Sequence, residues 1–227
     1  MAKVMISNVL SGLPRQLVAK LFANATPHRL EPGAVLFRAG DPGTGCYRID
    51  AGLLKVVVSS SQGEERIIAI LGPEAIVGEL SMIDGLPRSA SVVAISSCEL
   101  AFVSRKSFEQ YTEAHPEICQ YLMRTLATRL READEALAAA TFLTVKGRVA
   151  RALLDLAEYV GQEGGHGEIL LRHRFSQSDL AAMAGVAREN VSRTLSEWRR
   201  RELVTQSANY YCINDAKALA REMEFES

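Results

Sequence analysis

The chain has 227 residues, 48% of them apolar, and a formal net charge of −1 at neutral pH. That length carries one large domain or two modest ones, and the composition is that of an ordinary globular protein with ample core. The near-zero charge excludes a protein that coats nucleic acid indiscriminately, although a whole-chain sum can hide a local basic face.

Cys46, Cys98, Cys119 and Cys212 lie far apart with no C-x-x-C pair, which speaks against a disulfide framework, a zinc knuckle or a cysteine-held iron–sulfur cluster. A reducing cytoplasm suits such spacing. No apolar run reaches the roughly eighteen residues of a membrane span, and the opening "MAKVMISNVLSGL" is too short and interrupted for a signal peptide. No membrane partner is expected.

From about Leu30 to Val103, short apolar runs ("AVLF", "LLKVVV", "RIIAIL", "SVVAI", "CELAFV") alternate with turn signals such as "EPGA", "GDPGTG" and "SQGE". This rhythm predicts a compact all-β unit. Within it, "GELSMIDGLPRSA" groups one carboxylate, a Gly-Leu-Pro turn and an Arg-Ser pair. Arg88 and Ser89 suit a phosphate monoanion, the first through its planar donor fork. Ionised Glu79 only accepts hydrogen bonds, so it suits a ribose hydroxyl. "GELS" can begin a short helix with free N–H groups, and Gly85 with Pro87 makes the turn that returns Arg88 over Glu79. Taken alone, Glu79 and Arg88 read equally well as a surface ion pair.

After Pro116, Ile118, Leu122, Leu126, Leu130, Ala133, Leu137 and Ala140 recur at three- and four-residue steps. They predict an amphipathic helix of about 25 residues. Its narrow stripe resembles a coiled-coil seam and suits a second copy of the same helix; the other reading packs the stripe on the β unit.

From Thr144 come helical text to Tyr159, a polar loop "GQEGGHGE", a short strand "ILLRH", and then "FSQSDLAAMAGVARENVSRTLSEWRRREL". Ser176 caps a helix with Asp179 three residues on, a variant of the capping box. Ala181, Gly185 and Val191 fall at helix-turn-helix spacing, and Leu180, Ala184, Leu195 and Trp198 complete the buried side. "LVTQSANYYCIN" reads as a hairpin wing and "DAKALAREMEF" as a last helix. Between Arg172 and Arg201, seven arginines face Asp179, Glu189 and Glu197, a local net charge of +4. Such a helix suits the DNA major groove, with "WRRR" on phosphates; an Arg-rich, solvated helix end is the simpler reading of "WRRR" by itself.

"GELSMIDGLPRSA" resembles the phosphate-binding cassette of cyclic-nucleotide-binding domains, and "VARENVSR" the recognition helix of the CRP/FNR transcription regulators. The resemblance runs from about Leu13 to Ile213. It implies an α+β fold: a cyclic-nucleotide-binding β-roll over residues 1–113, a dimerisation helix over 114–143 and a winged helix-turn-helix over 144–227. Carried over, Glu79 takes the ribose 2′-hydroxyl, Arg88 and Ser89 the cyclic phosphate, and the Gly78 to Leu80 backbone part of the same anion. Val56 and Ile68 form an apolar wall, and Arg129 lies near the ligand. Ala133 and Asp134 stand where cAMP receptors use a Thr-Ser pair on adenine, so the effector is cAMP or cGMP. Arg188, Glu189, Ser192 and Arg193 occupy the base-reading surface and imply a TGTGA-like half-site. The implied partners are double-stranded DNA, a cyclic nucleotide, a second copy and RNA polymerase, in a cytoplasmic transcription regulator, activator or repressor.

Two rival classes make different demands on the residues. A regulator with another effector, or with constitutive DNA binding, keeps the DNA module. An FNR-type oxygen sensor needs cysteines near the amino terminus, where the first is Cys46, and a haem sensor needs an axial ligand, for which His28, His115, His166 and His173 sit outside the cassette. An enzyme finds no Ser/His/Asp order, carboxylate pair, phosphate loop or metal signature. No catalytic residue, metal or cofactor is expected.

Overall fold

A computed structural model describes residues 14–165 and 167–223. The opening segment and His166 lie outside the described residues, as do several side chains of the long helix, Cys119 and Arg129 among them. In chain order the elements are α1 (Arg15–Leu21), β1 (Thr26–Leu30), β2 (Val35–Phe37), β3 (Gly45–Ala51), β4 (Leu54–Ser59), β5 (Glu65–Leu71) and β6 (Ile76–Val77). There follow α2 (Leu80–Asp84), β7 (Ser91–Ala94), β8 (Cys98–Ser104), α3 (Arg105–Ala114), α4 (Glu117–Phe142) and α5 (Val145–Val160). The chain ends with β9 (Gly161–Glu163), β10 (Ile169–Leu171), α6 (Gln177–Ala184), α7 (Arg188–Arg200), β11 (Val204–Ser207), β12 (Tyr210–Ile213) and α8 (Ala216–Arg221). It divides into two compact units, with the division inside α4 after Ala133.

The first unit holds two four-stranded sheets, ordered β1-β8-β3-β6 and β2-β7-β4-β5. Strand β8 shows how two-residue alternation builds it. Cys98 and Leu100 enter a core shared with Ile49, Leu54, Leu71 and Val92, from both sheets. Ala101 and Val103, on the opposite face, enter a second core with Leu21, Met82 and Phe108 from the helices. The alternating runs read from the sequence correspond to strands, but β1, β3 and β6 and helices α1 and α3 were not foreseen. Strands β1 and β6 and helix α1 are short and β3 is interrupted by Arg48 and Asp50, whereas α3 carries Phe108 and Tyr111 at a helical step behind a Ser104 cap.

Helix α4 divides its stripe. Ile118 and Leu122 are buried in the helix-lined core of this same unit, so the seam does not begin where the three-and-four spacing places it. Met123, Leu130 and Leu137, one heptad apart, are instead 62%, 64% and 69% exposed. Half-buried Leu126 and exposed Ala133 fall between them, at the d positions of the same heptads.

The second unit carries α5 to α8 and a sheet ordered β11-β12-β10-β9. Part of the loop expected over "GQEGGHGE" is strand β9, paired antiparallel with β10; backbone pairing, not its wholly exposed side chains, makes it a strand. Ser176 and Asp179 form a full capping box at the start of α6, and Gly185 ends that helix in the left-handed conformation, at φ 64°. Ala208 and Asn209, at φ 47° and 66°, turn β11 into β12 as a two-residue hairpin. No helix among the described residues is long and apolar enough to cross a membrane.

Candidate functional site

The cleft of the first unit is built where the chain reverses twice. Gly78, at φ 84°, turns the chain out of β6. Glu79 precedes α2, and the segment after α2 brings Arg88 back beside Gly78. Glu79 is 3% and Arg88 5% exposed, so the two are not the surface ion pair that their residue types alone allow.

Arg88 donates from Nη1 to the carbonyl of Gly78 at 2.6 Å and from Nη2 to the carbonyl of Gly45 at 2.6 Å. Its Nε is buried with no hydrogen-bond partner among the described residues. Its guanidinium carbon lies 4.2 Å from the centre of the Phe37 ring. Burial lowers the Arg88 pKa, while Tyr47, Cys46 and Glu79 work against that shift. A buried cation hydrogen-bonded to neutral carbonyls, with one donor left over, is the arrangement an incoming anion satisfies. Beneath it, burial pushes the Cys46 thiol up to about 12, reinforced by the negative charge of Glu79, so Cys46 is an inert, protonated thiol.

A cavity of about 110 Å³ opens here, and Val56, Ile68, Gly78, Glu79, Leu80, Arg88 and Ser89 all line it. The sequence reading thus named side chains that the fold brings to one place. Ser89 is exposed, and Ile68, 49% exposed, contributes an apolar surface. A cation, an acceptor for hydroxyls and an apolar wall together suit a sugar phosphate carrying a base. Arg129 and Asp134 belong to α4, where Asp134 is exposed and the side chain of Arg129 lies outside the described residues.

Sequence reasoning missed Phe37 and Arg105. Arg105 donates to the carbonyls of Gly43, at 3.1 and 2.9 Å, and of Ser81, at 2.8 Å, tying the loop before β3 to α2. No local pattern announces either residue, since their partners stand tens of positions away in the chain.

In the second unit, α7 separates two faces. Val191, Thr194, Leu195 and Trp198, at three- and four-residue steps, are buried. Arg188, Glu189 and Arg193 are exposed and Ser192 half-buried, so all four emerge on the side away from the core. Arg199 and Arg200 are exposed at the far end. Lys146 holds this helix to the start of α5 through Glu197 at 2.8 Å, and Glu197 also lies 3.5 Å from Arg201. Among the described residues, no three His, Cys, Asp or Glu side chains gather as a metal site.

The cyclic nucleotide-binding domain family matches residues 27–115, and the Crp-like helix-turn-helix domain family matches residues 147–222. The CRP-like cAMP-activated global transcriptional regulator of Mycobacterium tuberculosis is 31% identical over 215 residues, covering 95% of this chain and 96% of that protein. The chain belongs to the CRP/FNR family of transcription regulators. The cyclic AMP receptor protein of Thermus thermophilus is 35% identical over 199 residues, covering 87% of this chain and 88% of its own length. In fold, the chain is similar to the c-di-GMP responsive global regulator CLP of Xanthomonas campestris, with a TM-score of 0.76 at 21% identity over 89% of this chain and 100% of that one. Like its family, the protein is a DNA-binding transcription regulator with a cyclic-nucleotide-binding domain, and not an enzyme.

Proposed function

We propose that this CRP/FNR regulator is a cytoplasmic homodimer switched by cAMP or cGMP bound in the cleft around Arg88. The carrying observation is that buried guanidinium, hydrogen-bonded to two neutral carbonyls and set beside buried Glu79 in a cleft. Arg88 and Ser89 take the cyclic phosphate, with the Gly78 to Leu80 backbone beside it. Glu79 accepts from the ribose 2′-hydroxyl, and Val56 and Ile68 cover the sugar or base. For Arg129 and Asp134 on the long helix, the family resemblance supports a role in effector recognition, Asp134 being able to accept from adenine's amino group or guanine's N–H donors.

The exposed heptad positions Met123, Leu130 and Leu137 support pairing of α4 with its copy. Ligand then favours one arrangement of the paired helices over another, through unequal affinity for the two. That arrangement sets the two recognition helices for an inverted TGTGA-like repeat with half-sites about one helical turn apart. Arg188 and Arg193 suit guanine and Glu189 the cytosine amino group, with Ser192 beside them. At its promoters the protein regulates transcription, with RNA polymerase as a further partner.

The test is calorimetric titration of nucleotide-stripped protein with cAMP and with cGMP, then DNA binding on the inverted repeat with and without each. Binding that strengthens DNA affinity supports the switch, and the ratio of the two affinities reports what Asp134 adds. Binding of neither nucleotide rejects the proposal in favour of another effector or constitutive DNA binding.

A further inference from the structure

Residues 37–45 grip Arg88 from several sides. The Arg88 N–H donates to the Asp41 carbonyl at 2.9 Å, and the Gly40 N–H donates to the Arg88 carbonyl at 2.8 Å. Gly45 accepts from Nη2, and the Phe37 ring covers the guanidinium. The segment is itself anchored. The Ala39 N–H donates to Ser91 Oγ at 3.0 Å, and Arg105 holds the Gly43 carbonyl. Phe37 also packs on Tyr47, with ring centres 6.4 Å apart, and Tyr47 on Phe102 at 4.9 Å.

A guanidinium rotates about its last bonds unless its edge and its faces are both engaged. Here two carbonyls engage the edge, and the guanidinium carbon lies over an aromatic ring, 4.2 Å from its centre. A cation stacked on a ring within about 6 Å is attracted to it, most strongly where water is excluded. A cation already in place loses less freedom when its ligand arrives.

We infer that Phe37 is a positioning residue for Arg88, its ring holding the guanidinium in the orientation that receives an anionic ligand. This rests on the proposed reading of the cleft as a cyclic-nucleotide site.

The test measures cAMP and cGMP dissociation constants for wild type, Phe37→Leu, Phe37→Met and Phe37→Tyr, and repeats the Phe37→Leu change in an Arg88→Lys background. Phe37→Leu and Phe37→Met fill the space without a ring, and each is expected to weaken binding roughly tenfold, within the range of such stacking. Phe37→Tyr restores wild-type affinity. In the Arg88→Lys background, Phe37→Leu costs no more than about twofold, because an ammonium has no planar face for the ring to orient. Equal losses in both backgrounds, or unchanged affinity in the folded ring-less variants, overturn the inference while leaving the proposed function intact. Wild-type protein that binds neither nucleotide overturns both.

Discussion

Arg88 donates from Nη1 to the Gly78 carbonyl at 2.6 Å, and a Cβ built on Gly78 would lie 2.5 Å from that same nitrogen. The glycine is therefore required twice, for its φ of 84° and for the close approach of the guanidinium. Gly78→Ala should strain the backbone by about 1–3 kcal/mol and displace Arg88. Thermal unfolding should show the loss of stability, and titration should show nucleotide affinity at least about tenfold weaker. Unaltered affinity would mean that Arg88 does not need its present place.

Replacing the arginine separates the ligand from the DNA. Arg88→Ala removes the charge partner of a phosphate, which costs on the order of 2–5 kcal/mol for a buried charge pair. Nucleotide-dependent DNA binding should vanish while nonspecific DNA binding persists, both readable by fluorescence anisotropy. A retained nucleotide response would move the site elsewhere.

On α7, exposed Glu189 and Arg193 are the residues to change for sequence preference. Glu189→Ala or Arg193→Ala should cost about 1–3 kcal/mol on the cognate repeat and relax the preference at one base pair. Exposed Arg200, at the end of the helix, should act differently. Arg200→Ala should weaken all sequences alike and reduce the salt dependence by about one counterion. A panel of half-site variants at several salt concentrations distinguishes the two patterns.

Glu197 should contribute to the acid sensitivity of the DNA-binding unit. The hydrogen bond from Lys146 depresses its pKa first, joined by the charges of Lys146 and Arg201 against a desolvation cost. A depressed carboxyl pKa stabilises the fold above the unfolded value and loses that contribution as pH falls through the folded value. The contribution is thus full near neutrality and fades below about pH 4. Glu197→Gln should lower stability at pH 7 and leave a shallower acid limb in chemical unfolding followed from pH 7 to pH 3. A limb as steep as wild type would show that other carboxylates carry the acid sensitivity.

Local pattern was enough for much of this molecule. The three-and-four spacing marked α4, the Ser176–Asp179 box and Gly185 marked the turn between α6 and α7, and the alternating runs marked β2, β4, β5, β7 and β8. The cassette residues were legible because Gly78, Glu79, Arg88 and Ser89 stand within twelve positions and their chemistry converges on one kind of anion. Strand β9 and helix α1 are short and carry little periodicity, whereas α3 carries a helical signal that sequence reasoning missed: Phe108 and Tyr111 at a three-residue step behind the Ser104 cap.

By itself, then, the sequence determined the order of the three regions, the residue types of the cleft and the outward side chains of the recognition helix, all properties of spacing along one segment. Tertiary structure alone decided that Arg88 is buried between Gly45 and Gly78 under Phe37, and that Ile118 and Leu122 belong to this chain's own core while Met123 and Leu130 stay exposed. The reason is physical: burial and orientation depend on surfaces brought together from distant positions, and no periodicity within a segment records which surface its stripe will meet.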